Sequence, residues 1–131
     1  MLKTKEKTKK NKTNKKLEKE IIEIDAANKS LGRVAVVVAK YLQGKHKVDY
    51  LPYIDYPIYV KLKNWDKIIF TGNKLEKKYI FKHTGYWGHL RKYLVKDLWQ
   101  RKPLFVIQKA VKGMLPKNKL RERRIKRIIL S

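Results

Sequence analysis

Cysteine is absent from the 131 residues of this chain, which excludes disulfides and thiolate metal sites and agrees with a reducing compartment. Acidic side chains are scarce: eleven Asp and Glu stand against thirty-five Lys and Arg, a formal charge of +24. Apolar runs are short, and none approaches the roughly 18–20 residues that a bilayer-spanning helix needs. The Lys-rich N-terminus lacks the apolar stretch of a secretory signal and the Arg and Ser of a transit peptide. A soluble, cytoplasmic protein is the expectation. Also missing are the Gly-x-x-x-x-Gly-Lys-Ser/Thr and Gly-x-Gly-x-x-Gly phosphate loops, the His-Glu-x-x-His zinc helix and any internal repeat. Asp25, Asp49, Asp55 and Asp66 supply carboxylates, but no spacing marks an acid/base pair. Asp25 and Asp55, at strand or turn boundaries, read as capping residues.

What remains is charge of one sign on a chain able to fold. Hydrophobic residues make up 43%, enough for a modest core at a length where about two-thirds of the unfolded surface is buried. A compact body this basic repels itself unless a polyanion lies against it, and nucleic-acid phosphate is the commonest such partner. A membrane surface is the weaker alternative, because no lipidation signal accompanies the lysines. Residues 1–19 hold nine lysines and only Met1, Leu2 and Leu17 as apolar side chains. They are expected to form a basic, low-complexity arm, with residues 20–131 as a single RNA-binding domain.

The pattern predicts a strand over Ile21–Asp25, then a helix from the N-cap Ser30 through Gln43, with Gly44 as its C′ residue. Leu31, Val34, Ala35, Val38 and Leu42 line one face of that helix. Strands are predicted over Ile58–Leu62, Lys67–Phe70 and Lys78–Lys82. Helices are predicted over Arg91–Arg101, on the spacing of Leu90, Leu94 and Leu98, and from Pro103 to Gly113, burying Leu104, Ile107 and Val111. Beyond Pro116 a cationic ribbon of Lys117, Lys119, Arg121, Arg123, Arg124, Lys126 and Arg127 leads into a last strand, Ile125–Leu130. Strand–helix alternation argues for an α/β sandwich with a largely parallel sheet.

Four segments carry candidate chemistry. Gly44-Lys45-His46-Lys47 offers three donor side chains at a helix end, suited to phosphate oxygens or simply solvated there. Thr71-Gly72-Asn73-Lys74 follows a strand; Gly72 and Asn73 accept positive φ, so the segment reads as an anion nest or a plain β-turn. His83-Thr84-Gly85-Tyr86-Trp87-Gly88-His89 offers aromatics that either stack on unpaired bases or, for Trp87, plug the core. Its two histidines, in a loop without cysteine, do not make a zinc site. Lys109-Ala110-Val111-Lys112-Gly113-Met114-Leu115-Pro116-Lys117-Asn118 ends a helix and opens the basic ribbon, for which phosphate contact is the favoured reading.

With these four segments in order, and with Ile24-Asp25-Ala26 and Ser30-Leu31-Gly32-Arg33 ahead of them, the chain from Ile24 to Leu130 resembles the large-subunit ribosomal protein L-thirteen family in its bacterial form. The resemblance implies a three-layer α/β/α sandwich around a four-stranded, mainly parallel sheet. It implies a structural constituent of the large subunit that binds large-subunit (23S-type) rRNA, lies beside neighbouring ribosomal proteins and joins early in assembly. It implies no catalysis; no cofactor, metal, membrane or small-molecule substrate is expected. Carried over onto this chain, the RNA-binding residues are Arg33, Lys45, His46, Lys47, Asn73, Lys74, His83, Tyr86, Lys112, Lys117, Asn118 and Lys119, with Gly72, Gly85 and Gly113 shaping the backbone; Arg121 of the basic ribbon is a further candidate. The chain departs from the family pattern at Tyr56-Pro57-Ile58, where Thr-Gly-Asp is usual, at His89 in place of a second glycine, and at Leu120-Arg121-Glu122 in place of Leu-Gly-Arg. Its N-terminal tail and its end at Ser131 are also atypical.

Overall fold

A computed structural model describes residues 19–131; apart from Lys19, the expected arm 1–19 lies outside them. Strand β1 (Glu20–Asp25) leads into helix α1 (Leu31–Gln43), which returns the chain to β2 (Ile58–Lys63). β2 pairs in parallel with β1, Ile22 opposite Val60, and with the short C-terminal β5 (Ile128–Leu130), Val60 opposite Ile128. The sheet order is therefore β1-β2-β5. The middle strand is the most apolar: Ile58, Val60 and Leu62 are fully buried, each side chain contributing about 1.5–3 kcal/mol. Val60 and Leu62 pack with Ile24 and Ile128 against Val34, Ala35, Val38, Ala39 and Leu42 of α1 and against Ile107 and Val111 of α4 (Pro103–Met114).

Helix α1 ends as its sequence dictates. Gly44 adopts φ 79°, and its N–H donates to Tyr41 O while the Lys45 N–H donates to Lys40 O. That is the 5→2 and 6→1 pair of a Schellman cap. At the other end Ser30 occupies the N-cap position but makes no side-chain capping bond. Its backbone is engaged instead in an isolated parallel bridge with Ile69. Asp25 does serve a turn: its Oδ1 accepts from the Ala27 N–H at 3.0 Å and from Asn64 Nδ2 at 2.9 Å. These bonds, the Asn64 one foremost, hold its carboxyl below the usual aspartate value.

Several expectations are corrected. The predicted strand Lys67–Phe70 is reduced to the Ile69 bridge, preceded by a 3-10 turn at Trp65–Lys67. Among the described residues the parallel sheet thus has three strands, with a separate antiparallel pair, β3 (Tyr79–His83) and β4 (Leu90–Leu94). The predicted helix Arg91–Arg101 is half strand: β4 takes 90–94 and helix α3 begins only at Val95 (Val95–Arg101). Leucines four apart satisfy a helical stripe, but positions 90, 92 and 94 also share one face of a strand. Pairing with β3 decides between them. Helix α4 runs one residue past Gly113, which sits inside it without left-handed backbone. The ribbon is no ribbon throughout: Leu120–Ile125 forms helix α5, and the last strand shrinks to three residues. Between these elements, α2 is a single turn (Lys74–Lys77).

Candidate nucleic-acid interface

Three motifs separated in sequence meet on one side of the molecule. A groove of about 390 Å³ is lined by Gly32, Thr71, Lys74, Lys78, Lys109 and Gly113, among others. It joins the start of α1, the turn before α2 and the last turns of α4, and Arg33 is exposed beside Gly32. A second recess of about 440 Å³ brings Lys45 beyond the end of α1 together with Asn118 beyond α4. Met114 lines both, so groove and recess adjoin, and among the described residues no carboxylate lines either one. Lys74 Nζ also donates to Thr71 Oγ1 at 2.8 Å. Gly72 is left-handed (φ 62°), but Asn73 is not (φ −85°), which corrects the expectation of positive φ at both.

The rest of the Lys45 cluster is engaged with an acid. Lys47 Nζ lies 2.7 Å from Glu20 Oε2, and His46 Nε2 lies 3.4 Å from Glu20 Oε1. The Lys47 hydrogen bond holds the Glu20 carboxyl below the ordinary glutamate value. Lys112 likewise pairs with Glu122, whose carboxyl it lowers. Lys117, Asn118 and Lys119 are exposed in the turn between α4 and α5, with Asn118 Oδ1 accepting from the Arg121 N–H at 3.1 Å. Arg121 is only partly exposed, and its Nε is buried without a partner.

Two arginines of the expected cationic run turn inward. Arg124 is 99% buried; its Nη2 donates to Ile54 O at 3.0 Å, and its Nε lies 3.6 Å from Asp55 Oδ1. Arg127 holds Asp55 in a two-pronged pair at 2.9 and 2.6 Å. Asp55 is therefore a counter-ion rather than the cap its position suggested. Next to it, Tyr56, at the departure from the family pattern, is buried. Its hydroxyl donates to Asp49 O and accepts from the Leu51 N–H, fixing the loop that follows α1.

His83, Gly85 and Tyr86 stand apart from groove and recess, at the tip of the β3–β4 hairpin. Gly85 (φ 94°) and Gly88 (φ 73°) turn the chain, and the Gly85 N–H donates to His83 Nδ1 at 2.9 Å. Tyr86 is 73% and Trp87 99% exposed, so the core-plug reading of Trp87 is overturned. From Lys78 to Leu94 the hairpin holds four Lys and Arg and no acid. Among the described residues no group of His, Asp and Glu is placed to hold a metal, and no helix is long and apolar enough to cross a membrane.

A sequence model described as Ribosomal protein L13 matches residues 19–130. The chain belongs to the ribosomal protein L13 family. It is 54% identical over 105 residues to the large ribosomal subunit protein uL13 of Thermoanaerobacter sp. (strain X514), a match covering 80% of this chain and 73% of that one. The uL13 of Clostridioides difficile (strain 630) is 46% identical over the same shares of each chain. That of Thermobifida fusca (strain YX) is 47% identical over 80% of this chain and 70% of its own. For an L13-family protein, the residues missed from sequence are the internal ones: Gln43, Asp55, Tyr56 and the inward-facing Arg124 and Arg127. Gln43 had a signal, since it extends the Ala35, Ala39 series by one more step of four onto the buried face of α1.

Proposed function

We propose that this L13-family protein binds large-subunit rRNA through the adjoining groove and recess, and that it enters the large subunit early in assembly, within cytoplasmic ribosomes. It is a structural constituent, not an enzyme. The observation that carries the RNA reading is the convergence of Lys45, Lys74, Lys78 and Lys109 on two adjoining concave surfaces that, among the described residues, no carboxylate lines. Cations so placed neutralise phosphates and fix the register of the protein on the RNA. Arg33, His46, Lys47, Gly72, Asn73, Lys112, Lys117, Asn118, Lys119 and Arg121 extend this surface, while His83, Gly85 and Tyr86 reach out on the hairpin as a separate contact. Residues 20–131 act as one RNA-binding unit, and the fourth strand of the family sandwich corresponds to the Ile69 segment that bridges to Ser30. Neighbouring large-subunit proteins complete the surroundings.

The test is sedimentation of a native lysate through a sucrose gradient after a high-salt wash. The chain is expected in the large-subunit peak and absent from it after RNase treatment. Recovery at the top of the gradient, without RNase, would overturn the proposal.

A further inference from the structure

The recess beside Lys45 differs from the rest of the basic surface in what forms its wall. Gln43 and Arg124 are the buried polar or charged residues among the described ones, 94% and 99% covered, and both line this recess. Burying a guanidinium is costly unless it is paired and hydrogen-bonded. Here two guanidinium groups, Arg124 and Arg127, share the single carboxylate of Asp55, and the Arg124 Nε has no hydrogen-bond partner. The cluster keeps a surplus positive charge, and Lys45 adds another at the rim. An anion at the rim, beside Lys45, would offset that surplus without entering the buried cluster.

The other lining groups say which kind of anion. Gln43 and Asn118 carry amides, which present donor and acceptor side by side as base edges require. Tyr50 and Pro52 also line the recess, and a tyrosine ring is a surface on which a base can stack. An acidic peptide would satisfy the charge and leave amides and ring uncomplemented. The recess, about 440 Å³, is open to solvent on one side. A base within a duplex is stacked and cannot enter it.

We infer that the recess takes a single unpaired nucleotide of the RNA, its phosphate against Lys45 at the rim, over the surplus charge of the Arg124–Arg127–Asp55 cluster, and its base edge against the amides of Gln43 and Asn118. The inference rests on the RNA-binding reading above and names the unit that this part of the surface holds.

The experiment uses the full chain, isotopically labelled, and follows the side-chain amide signals of Gln43 and Asn118 by NMR. The probes are the four nucleoside monophosphates, inorganic phosphate, a single-stranded RNA tetranucleotide and a short, fully paired RNA duplex. At least one monophosphate is expected to shift both amides, with inorganic phosphate binding about fivefold more weakly because it lacks a base. The tetranucleotide is expected to bind about tenfold more tightly than the monophosphate, as further phosphates meet Lys117 and Lys119. Gln43→Met, of similar volume, is expected to reduce monophosphate binding about fivefold and leave duplex binding unchanged. Lys45→Ala, an exposed change, weakens every anionic probe and serves should Gln43→Met fail to fold. Equal binding and equal shifts from phosphate and monophosphates would overturn the base part. Equal affinity for tetranucleotide and monophosphate would assign the recess to free nucleotides and overturn the RNA part. Duplex binding without any amide shift from the other probes would overturn the recess alone. Failure of every RNA to bind would sink the underlying RNA reading as well.

Discussion

Gly44 shows how a residue that looks like ordinary helix punctuation acquires a second constraint. Its left-handed backbone closes the cap on α1, and a Cβ built on it would lie 2.6 Å from Cδ2 of Tyr56. Gly44→Ala therefore combines an unfavourable φ with a clash against a ring held by two hydrogen bonds. It is expected to destabilise the protein by about 2–3 kcal/mol, measured by chemical denaturation. Gly72→Ala shares the unfavourable φ but meets nothing within 4 Å, so the difference between the two isolates the Tyr56 contact. Glu20 carries the opposite kind of constraint, one of charge. Its folded pKa lies below the unfolded value because Lys47 bonds the carboxylate. The stabilisation is thus fully present above the usual glutamate range and is lost as pH falls through the lowered value. Melting wild type and Glu20→Gln between pH 7 and pH 3 is expected to show a small gap near neutrality that closes in acid and shrinks with salt. The same variant frees Lys47 and His46, and its RNA affinity at neutral pH and low salt should rise.

Elements differ in how plainly their sequences announce them. β1, α1, β2 and α4 were legible because each presents one apolar face to one core, so periodicity and burial coincide. β4 was not, because leucines at 90, 94 and 98 fit helix and strand alike until β3 supplies a partner. Helix α5 was hidden by its charge: a run of Arg and Lys reads as solvated, yet Arg124 is buried against a loop seventy positions away in sequence. The candidate site follows the same rule. Its local motifs could be found, but the Asp55 cluster and the wall of the recess depend on contacts between distant segments. That cluster pins the loop between α1 and β2 onto α5 and the turn before β5. Asp55→Asn keeps the shape and removes the shared counter-ion, and should cost roughly 3–5 kcal/mol in urea unfolding, the range for breaking a buried pair. A loss below about 1 kcal/mol would mean that solvent screens the cluster. The hairpin makes the contrasting case. Tyr86 and Trp87 are exposed, so Tyr86→Ala with Trp87→Ala should leave the melting temperature unchanged. The pair should weaken RNA binding by about 1–3 kcal/mol for each base that stacks. Unchanged affinity would leave the tip without a stacking role.

At the scale of the whole molecule, the charge of +24 acts on the free protein and on its RNA complex with opposite signs. Like charges spread over a compact body repel, and salt screens them. Phosphate contacts release counter-ions, and salt reverses that gain. Should about 6–10 phosphates be neutralised, affinity falls roughly 10³–10⁵-fold between 50 and 200 mM salt. Removing Lys45, Lys74 and Lys109 together should lower the slope of log affinity against log salt by nearly three, about 0.9 for each phosphate no longer neutralised. The free chain should behave inversely, its melting temperature rising as salt increases over the same range. RNA stabilises the fold in proportion to the logarithm of its concentration over Kd. Melting curves with and without RNA should therefore converge as salt is raised, the free curve climbing while the bound one drops. A free protein that instead melts lower in salt would show that surface pairs such as those of Glu20 with Lys47 and Glu122 with Lys112 outweigh the repulsion. Excess charge would then not be what makes the unbound fold depend on a polyanion. Convergence with a rising free curve would tie solubility, stability and RNA binding to the same surplus of lysine and arginine.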